Sequence, residues 1–438
     1  MKILIDGLNF ELARGTGIKT FTRSVMRALS DNGHQLDLLS DQVIRQIRYV
    51  SPVDSYLANL QTVTPHRIGM KQRILNSLPG VGKRFRGSFG VQDPDLLESL
   101  TGCPEWGCLD NVHVRPGLFT KSFMRSNLGL GMQPISSLPD VEALMLTSPL
   151  PVYLPSRLNV LCVHDVIPLS HPWLLARWEF VAKSIGTALK YGLSRSDKVI
   201  CVSETTKREL IKRFNVDDKK LEVVYQPCRY AGNTLTLTPT PTAAVADSHP
   251  ATGQAVQMHQ RAVLDLLNLS QEPFVLFAGA IEPKKNLLNV LRAIERNPAI
   301  PKLVVAGSFA WSSSHERAMI KRLGRRVEHL GFVSDEHLQV LQQTAAACVF
   351  ASITEGFGLP ALEAIWCGTP CVLSDIAVFR ELFPNNAFFV NPYNPNDIGD
   401  ALLQAIEADD DYKQTMARDV QQRFSMAQFA NRLSSILN

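Results

Sequence analysis

The chain of 438 residues contains no apolar run near the ~20 residues that a membrane-spanning helix needs. It also lacks a strong charge of either sign. Forty-five Lys and Arg against 41 Asp and Glu leave a formal net charge of +4, too small to indicate nucleic acid as a partner. Spacing for a metal site is missing too. Of the eight cysteines, only Cys103/Cys108 and Cys367/Cys371 lie close together, and neither pair has a second pair or a histidine at zinc-site distance. Cys162, Cys201, Cys348 and Cys371 fall in or beside apolar runs, as expected of reduced thiols acting as small hydrophobes in a cytoplasmic protein. Asp6 breaks the apolar run that starts at Met1, so no secretory leader is expected. A complete dinucleotide fingerprint is absent as well. Gly15-Thr16-Gly17 has Thr20 where the third glycine belongs, and the loop from Asp6 is too long for that tight turn. Asp37 stands where a ribose-binding acid would, which keeps an oxidoreductase alternative open.

What is present is an ordinary globular composition, 45% apolar and 20% charged, in a chain long enough for two domains. Short apolar runs alternate with helical periodicity. Lys2–Asp6 reads as a strand, Gly17–Asn32 as a helix stopped at Gly33, and Gln35–Leu39 as the next strand. Strand-like runs return at Asn159–Val163 and Lys198–Val202, with a helical stretch from Pro172 to Arg195 between them. Ser203 is placed to cap the helix that follows. A second alternation runs from Pro273–Gly279 to Cys371–Ser374. Fully apolar strands joined by helices mean parallel sheets buried on both faces. The expected fold is therefore α/β, with two Rossmann-like doubly wound domains facing across a cleft. Residues 87–150 are rich in Gly and Pro and yield no assignment. Residues 231–265 open with alternating Thr, Leu and Pro and are expected to form a low-complexity linker. That puts one domain at 1–230 and the other at 266–425.

The richest motif is Glu355-Gly-Phe-Gly-Leu-Pro-Ala-Leu-Glu363, between a strand and a helix. Gly356 and Gly358 permit positive φ and close backbone approach, and Pro360 suits a first helical turn. A helix N-terminus attracts an anion, here with a carboxylate on either side. Taken singly, each glutamate reads as a solvated side chain. Together, at a strand's carboxyl end, the two fit a ligand with both phosphate and hydroxyls. Gly279-Ala-Ile-Glu-Pro-Lys-Lys-Asn286 sets Lys284 and Lys285 at another strand end, where two ammonium groups can neutralise a diphosphate. A solvated lysine turn is the plainer reading of Lys284. His164-Asp165 ends Asn159–Val163; His164 can donate a hydrogen bond or polarise a hydroxyl, and Asp165 suits capping. Asp409–Asp411 reads as a solvated acidic helix boundary rather than a metal site.

These motifs resemble the E-x7-E segment and its flanks in family 4 (group 1) glycosyltransferases, which are retaining enzymes of the GT-B fold. The resemblance extends through Gly331-Phe-Val-Ser-Asp-Glu336 and Gly368-Thr-Pro370 and covers nearly all of the second half. It implies that Glu363 holds the nucleotide ribose and Glu355 the donor sugar. Phe357, Gly358 and Leu359 join them in donor binding, and Lys285, with Lys284, binds the diphosphate. His164, in a segment similar to the family's His-Asp-x-x-Pro, would contact the sugar. Gly17 would belong to a glycine-rich loop approaching the phosphates. Ala280 departs from the pattern, standing where the family often has arginine. The resemblance further implies front-side transfer without a metal or bound cofactor, and a helix at 426–438 packed back on the first domain.

The resemblance is nearest to bacterial mannosyl- and related transferases of polysaccharide assembly. It points to GDP-mannose as donor, then a UDP-hexose, and to a glycan or lipid-linked glycan as acceptor. A sugar-nucleotide epimerase of the same fold and a non-catalytic sugar-nucleotide-binding subunit are the alternatives. From Asp54 to Asp93 no acid intervenes, while Arg67, Lys71, Arg73, Lys83, Arg84 and Arg86 do, interleaved with Ile68, Ile74 and Leu75. This segment fits either a solvated face or an anionic membrane surface as partner, with the enzyme peripheral at the inner face.

Overall fold

The computed structural model describes residues 1–11, 17–42, 87–91, 103–135, 138–175, 178–231, 251–269, 272–310 and 313–437. The basic segment Arg67–Arg86 lies outside the described residues. The chain folds as two compact units. Met1–Pro172, Arg177–Pro227 and Met426–Asn438 form the first; Trp173–Ala176 and Cys228–Ser425 form the second. No helix among the described residues is long and apolar enough to cross a membrane.

The first unit carries strands β1 Lys2–Asp6, β2 Gln35–Ser40, β3 Gly87–Gly90, β4 Asn111–Val114, β5 Gln133–Pro134, β6 Ala143–Leu146, β7 Val152–Tyr153, β8 Leu158–Val163, β9 Lys198–Cys201 and β10 Leu221–Val223. Its helices are α1 Gly17–Asp31, α2 Leu118–Asn127, α3 Ile167–Ser170, α4 Trp178–Arg195 and α5 Glu204–Phe214. Eight strands form one sheet in the order β10-β9-β8-β6-β1-β2-β4-β3. Every pairing in it is parallel except β3 with β4 at the edge. The chain runs outward from β1 through β2, then returns to place β6 on the other flank of β1. The order therefore reverses between β1 and β6, where doubly wound sheets open a crevice at their carboxyl ends. Three strands of this sheet, β3, β4 and β6, come from 87–150, the stretch that resisted assignment, because each is only four residues long.

Asp37 is buried in the middle of β2. It accepts from Asn111 Nδ2 at 2.9 Å and pairs with His113 Nε2 at 2.7 Å, and the Lys2 ammonium lies 3.3 Å away. Burial works to raise its carboxyl, but His113, Asn111 and Lys2 outweigh it and hold Asp37 below its ordinary value. Asp37 is thus committed to structural partners within the sheet, which removes the support it lent to the oxidoreductase alternative.

The second unit carries β11 Phe274–Ala278, β12 Lys302–Ala306, β13 Val327–Gly331, β14 Ala347–Phe350, β15 Cys371–Ser374 and β16 Phe388–Val390. Its helices are α6 Ala251–Leu266, α7 Leu287–Arg296, α8 Ser314–Leu323, α9 Asp335–Thr344, α10 Leu359–Trp366, α11 Ala377–Leu382, α12 Pro395–Ile406 and α13 Asp410–Arg423. The strands form an all-parallel sheet in the order β13-β12-β11-β14-β15-β16, with its reversal between β11 and β14. All five residues of β11 are buried, as a strand covered by helices on both faces requires. Helix α7 buries Leu287, Val290, Leu291 and Ile294 on one stripe. Burying each such side chain contributes roughly 1.5–3 kcal/mol.

Of the linker expected over 231–265, residues 232–250 lie outside the described residues, and the remainder needs correcting. The second unit begins at Cys228, and Ala251–Leu266 is helix α6. His259 pairs with Glu336 at 3.2 Å, and Gln260 donates to Gln343 at 3.0 Å. The small and polar composition that suggested a linker is also that of a helix burying little, here chiefly Val263. Asp409 caps α13 by accepting from the Tyr412 amide at 2.8 Å, the helix boundary expected of Asp409–Asp411. The last helix, α14 Met426–Leu437, belongs to the first unit. It packs on α1 through Phe429 and Phe21, whose ring centroids are 5.8 Å apart.

Candidate active site

In the second unit, Lys285 and Glu355 meet at the reversal between β11 and β14. Lys285 ends the turn after β11 and Glu355 the turn after β14. The Lys285 ammonium donates to Glu355 Oε1 at 2.6 Å, and Ser352 Oγ donates to the same oxygen at 2.9 Å. Burial works to raise the Glu355 carboxyl, but the charges of Lys285 and Lys284 and the two hydrogen bonds outweigh it. Glu355 is therefore held below its usual range and stays ionised. The backbone binds the two turns together. The Ile353 amide donates to the Lys284 carbonyl at 2.8 Å, and Asn286, in the left-handed region at φ 57°, donates to the carbonyls of Ala351 and Pro392 at 2.9 and 2.7 Å. Lys284 sits 3.4 Å from Glu282, a more solvated position than that of Lys285.

Gly358 leads into α10 with φ 98°, and a Cβ there would meet Phe379 Cε1 at 2.5 Å. Only glycine meets both conditions. Gly356 is not among the residues at positive φ, so the two glycines expected to act alike do not. Phe357 is buried against Phe424, and Leu359 opens the helix.

Glu363, one turn into α10, is only 1% exposed. Arg229 covers it: Nε donates to Oε1 and Nη2 to Oε2, both at 2.6 Å, while Nη1 reaches Asp335 Oδ1 at 2.6 Å. Beside it, Tyr230 donates to Gln342 Oε1 at 2.5 Å, anchoring this strip of chain to α9. No sequence reading singled out Arg229. Its only signal is position, just ahead of the low-complexity stretch.

In the first unit, Asp6 ends β1, Thr147 follows β6 and His164 follows β8, so all three gather at that sheet's reversal. Thr147 donates from its amide and its hydroxyl to Asp6 Oδ2, at 2.5 and 2.8 Å. Oδ1 of Asp6 is buried without a partner at ordinary geometry. Burial pushes the Asp6 carboxyl up to about 6, against the pull of the Thr147 hydrogen bonds. His164 Nε2 lies 2.9 Å from the Thr147 carbonyl, and its ring sits edge-on to Phe21 with centroids 4.8 Å apart. Since a carbonyl only accepts, Nε2 carries the proton. Burial pushes the imidazole below its ordinary value, so it is neutral near pH 7 with Nδ1 as an acceptor. The donor role anticipated for His164 is thus already committed to Thr147. Asp165 Oδ1 accepts from the Ile167 amide at 2.9 Å, capping α3. Gly17 is the first residue of α1, and the loop before it lies outside the described residues.

Two Rossmann-like parallel-sheet units define the GT-B fold. Solved structures agree: HepE of Anabaena, in complex with UDP, matches with a TM-score of 0.62 at 14% identity, covering 100% of this chain and 99% of that one. Sucrose-phosphate synthase of Thermosynechococcus elongatus matches with a TM-score of 0.63 at 18% identity, covering 100% and 98%. The likeness at such identity is one of fold. The family profile "Glycosyl transferases group 1" matches residues 265–423, and "Glycosyltransferase Family 4" matches residues 147–228. The chain belongs to this family, the group 1 glycosyltransferases of family 4. It is similar to O-antigen chain mannosyltransferase B of Escherichia coli, 27% identical over 269 residues, which are 59% of this chain and 64% of that protein. It is also similar to O-antigen chain mannosyltransferase RfbU of Salmonella typhimurium, 28% identical over 239 residues, 54% and 57% of the two chains. The match spans less than two thirds of either relative.

Proposed function

We propose that the protein is a retaining glycosyltransferase that moves a mannosyl group from GDP-mannose to a glycan or lipid-linked glycan acceptor. The observation that carries this reading is the Lys285–Glu355 pair at the sheet reversal, fixed 2.6 Å apart at the mouth of the two turns. The names of the O-antigen mannosyltransferases it resembles support the choice of sugar.

An ammonium has three N–H donors; Lys285 donates one to Glu355, leaving two for a diphosphate. As the bond from the anomeric carbon to the diphosphate breaks, negative charge grows on the departing phosphate. Lys285 stabilises that charge, seconded by Lys284 and the N-terminus of α10 with the backbone of Phe357, Gly358 and Leu359. These groups supply the positive field that a metal ion would otherwise supply. Glu355, ionised and oriented by Lys285 and Ser352, accepts from hydroxyls of the donor sugar. Glu363, oriented by Arg229, serves the ribose. In the first unit, His164, with Nδ1 as acceptor, and Gly17, the first residue of α1, are the candidates for donor contacts. The acceptor oxygen then attacks from the face the diphosphate leaves, passing its proton to that diphosphate, so the configuration is retained.

The test is to incubate the protein with GDP-mannose and to follow GDP release with and without a glycan acceptor. Acceptor-dependent release, with the new linkage keeping the donor's anomeric configuration by NMR, is the expected result. An epimerised sugar nucleotide formed without acceptor would make the protein an epimerase. Binding without turnover would make it a non-catalytic subunit. A thermal-shift panel of nucleoside diphosphates should favour GDP over UDP.

A further inference from the structure

In the sheet of the first unit, β6 lies between β1 and β8. Thr147, the first residue past β6, therefore stands between the ends of both neighbours. Asp6 closes β1 on one side, and His164 follows β8 on the other. Both donors of Thr147 go one way, its amide at 2.5 Å and its hydroxyl at 2.8 Å to the same oxygen, Asp6 Oδ2. Its acceptor goes the other way, the carbonyl taking the Nε2 proton of His164 at 2.9 Å. Three strand ends are thus joined in one line of hydrogen bonds. Asp6 and Thr147 are fully buried, so neither can touch a ligand, whereas His164 is only half-buried.

Other contacts of His164 fix other freedoms. Thr206 Oγ1 donates to the His164 carbonyl at 3.3 Å and itself accepts from Ser203 Oγ at 3.0 Å, which holds the backbone. Phe21 meets the imidazole at 87° and sets the plane of the ring. A ring flipped by half a turn keeps the same plane, so Phe21 does not decide where each nitrogen points. The bond to Thr147 does decide it, because a flip, or a proton moved to Nδ1, breaks that bond. The direction of the Thr147 carbonyl follows from the backbone of Thr147. That backbone is held by two bonds to one carboxylate oxygen, which fix the amide and the side-chain rotamer together.

We infer that Asp6 is a positioning residue, which through Thr147 holds the His164 imidazole in one orientation, with Nε2 protonated and Nδ1 left as the acceptor. Its consequence for transfer rests on the reading of His164 as a donor contact. A carboxylate that merely tied β1 to β6 would change stability and leave the imidazole untouched. A carboxylate that positions His164 changes the tautomer, and its effect on turnover vanishes once the imidazole is gone.

The experiment begins with imidazole nitrogen NMR of the isotope-labelled full chain, with His164→Ala identifying the signal. Wild type should show His164 protonated at Nε2 alone, and Asp6→Ala should show both tautomers. Asp6→Asn, which keeps an acceptor for both Thr147 donors, should restore the single form. With GDP-mannose, Asp6→Ala should lower kcat/KM about 10-fold, the loss of roughly one hydrogen bond to the substrate. The Kd for GDP, which lacks the sugar, should stay the same. Asp6→Asn should return kcat/KM to within about threefold of wild type, and in a His164→Ala background Asp6→Ala should cost nothing more. Should Asp6→Ala not fold, Thr147→Val, which removes only the hydroxyl bond, should shift the tautomers the same way by less. Two results overturn the inference. One is a wild-type imidazole pattern in Asp6→Ala, or in Thr147→Val if that is the variant that folds. The other is an equal loss of kcat/KM from Asp6→Ala with and without the imidazole, which would make Asp6 a strand clamp only. The imidazole pattern is read without donor, so a wild type that fails to turn over GDP-mannose would sink the transfer reading while the positioning of His164 is still decided by NMR.

Discussion

Arg229 meets Glu363 side-on with two parallel hydrogen bonds of 2.6 Å, across 134 residues of chain. Glu363 is all but sealed from water, so its charge depends on this guanidinium for compensation. Removing one partner of such a buried pair costs about 3–5 kcal/mol, while replacing both with apolar groups costs far less. Arg229→Met should therefore lower the urea midpoint of the second unit's transition sharply. The double variant with Glu363→Met should unfold closer to wild type than either single one. Additive losses would show that the pair is not coupled.

The diphosphate contact has a direct kinetic test. Lys285→Ala should slow transfer by about 100-fold, the ~3 kcal/mol expected when a preorganised charge facing the leaving group is lost. Lys284→Ala should cost less, since Lys284 also faces Glu282 and is the more solvated of the two. Activity of Lys285→Ala within a factor of three of wild type would remove Lys285 from the mechanism.

The two glutamates should separate by calorimetry. Glu363→Gln should weaken binding of the nucleoside diphosphate itself, because a ribose contact persists without the sugar. Glu355→Gln should leave that binding intact and impair transfer. The opposite pattern would exchange their roles.

Asp6 makes a prediction about pH. Its carboxyl is raised from 3.8 to about 6 in the folded protein, so the folded state holds a proton that the unfolded chain releases earlier. Between pH 3.8 and about 6 the folded state binds more protons, and stability from this group falls as pH rises, by on the order of 3 kcal/mol, staying low above that window. Asp6→Asn keeps an acceptor for Thr147 without the charge. The variant should therefore gain melting temperature over wild type progressively from about pH 4 to about pH 6 and hold that gain at neutrality. A difference that does not vary with pH would mean Asp6 titrates normally.

Metal dependence is open to a simple check. If Lys284, Lys285 and the α10 N-terminus supply the positive field, transfer survives excess EDTA. Loss of activity that magnesium or manganese restores would replace that mechanism with a metal-assisted one.

Much of this was local and therefore legible. Fully apolar runs such as Phe274–Ala278 announce a strand between helices, because such a strand must be dry on both faces. Ser203 and Ser334 cap their helices by accepting from the amides of Thr206 and His337, as their chemistry requires. Lys285, Glu355 and His164 were legible because each ends a readable strand in a motif with known relatives. Where composition misled, at Ala251–Leu266, the cause was a helix that buries too little to show an apolar stripe.

The sequence by itself determined the class of fold, the family and the residues that carry charge at the strand ends. Only the tertiary structure decided which of those ends are neighbours. Strand order brings β11 beside β14 and β1 beside β6, and so joins Lys285 to Glu355 and Asp6 to Thr147, the latter across 141 residues. It also turned His164 Nε2 onto a backbone carbonyl and laid Arg229 over Glu363. Periodicity and capping act within a turn or two of the chain. Strand order and the partners of buried charges come from packing whole layers together, where a distant side chain stabilises a charge that no neighbour in sequence could reach.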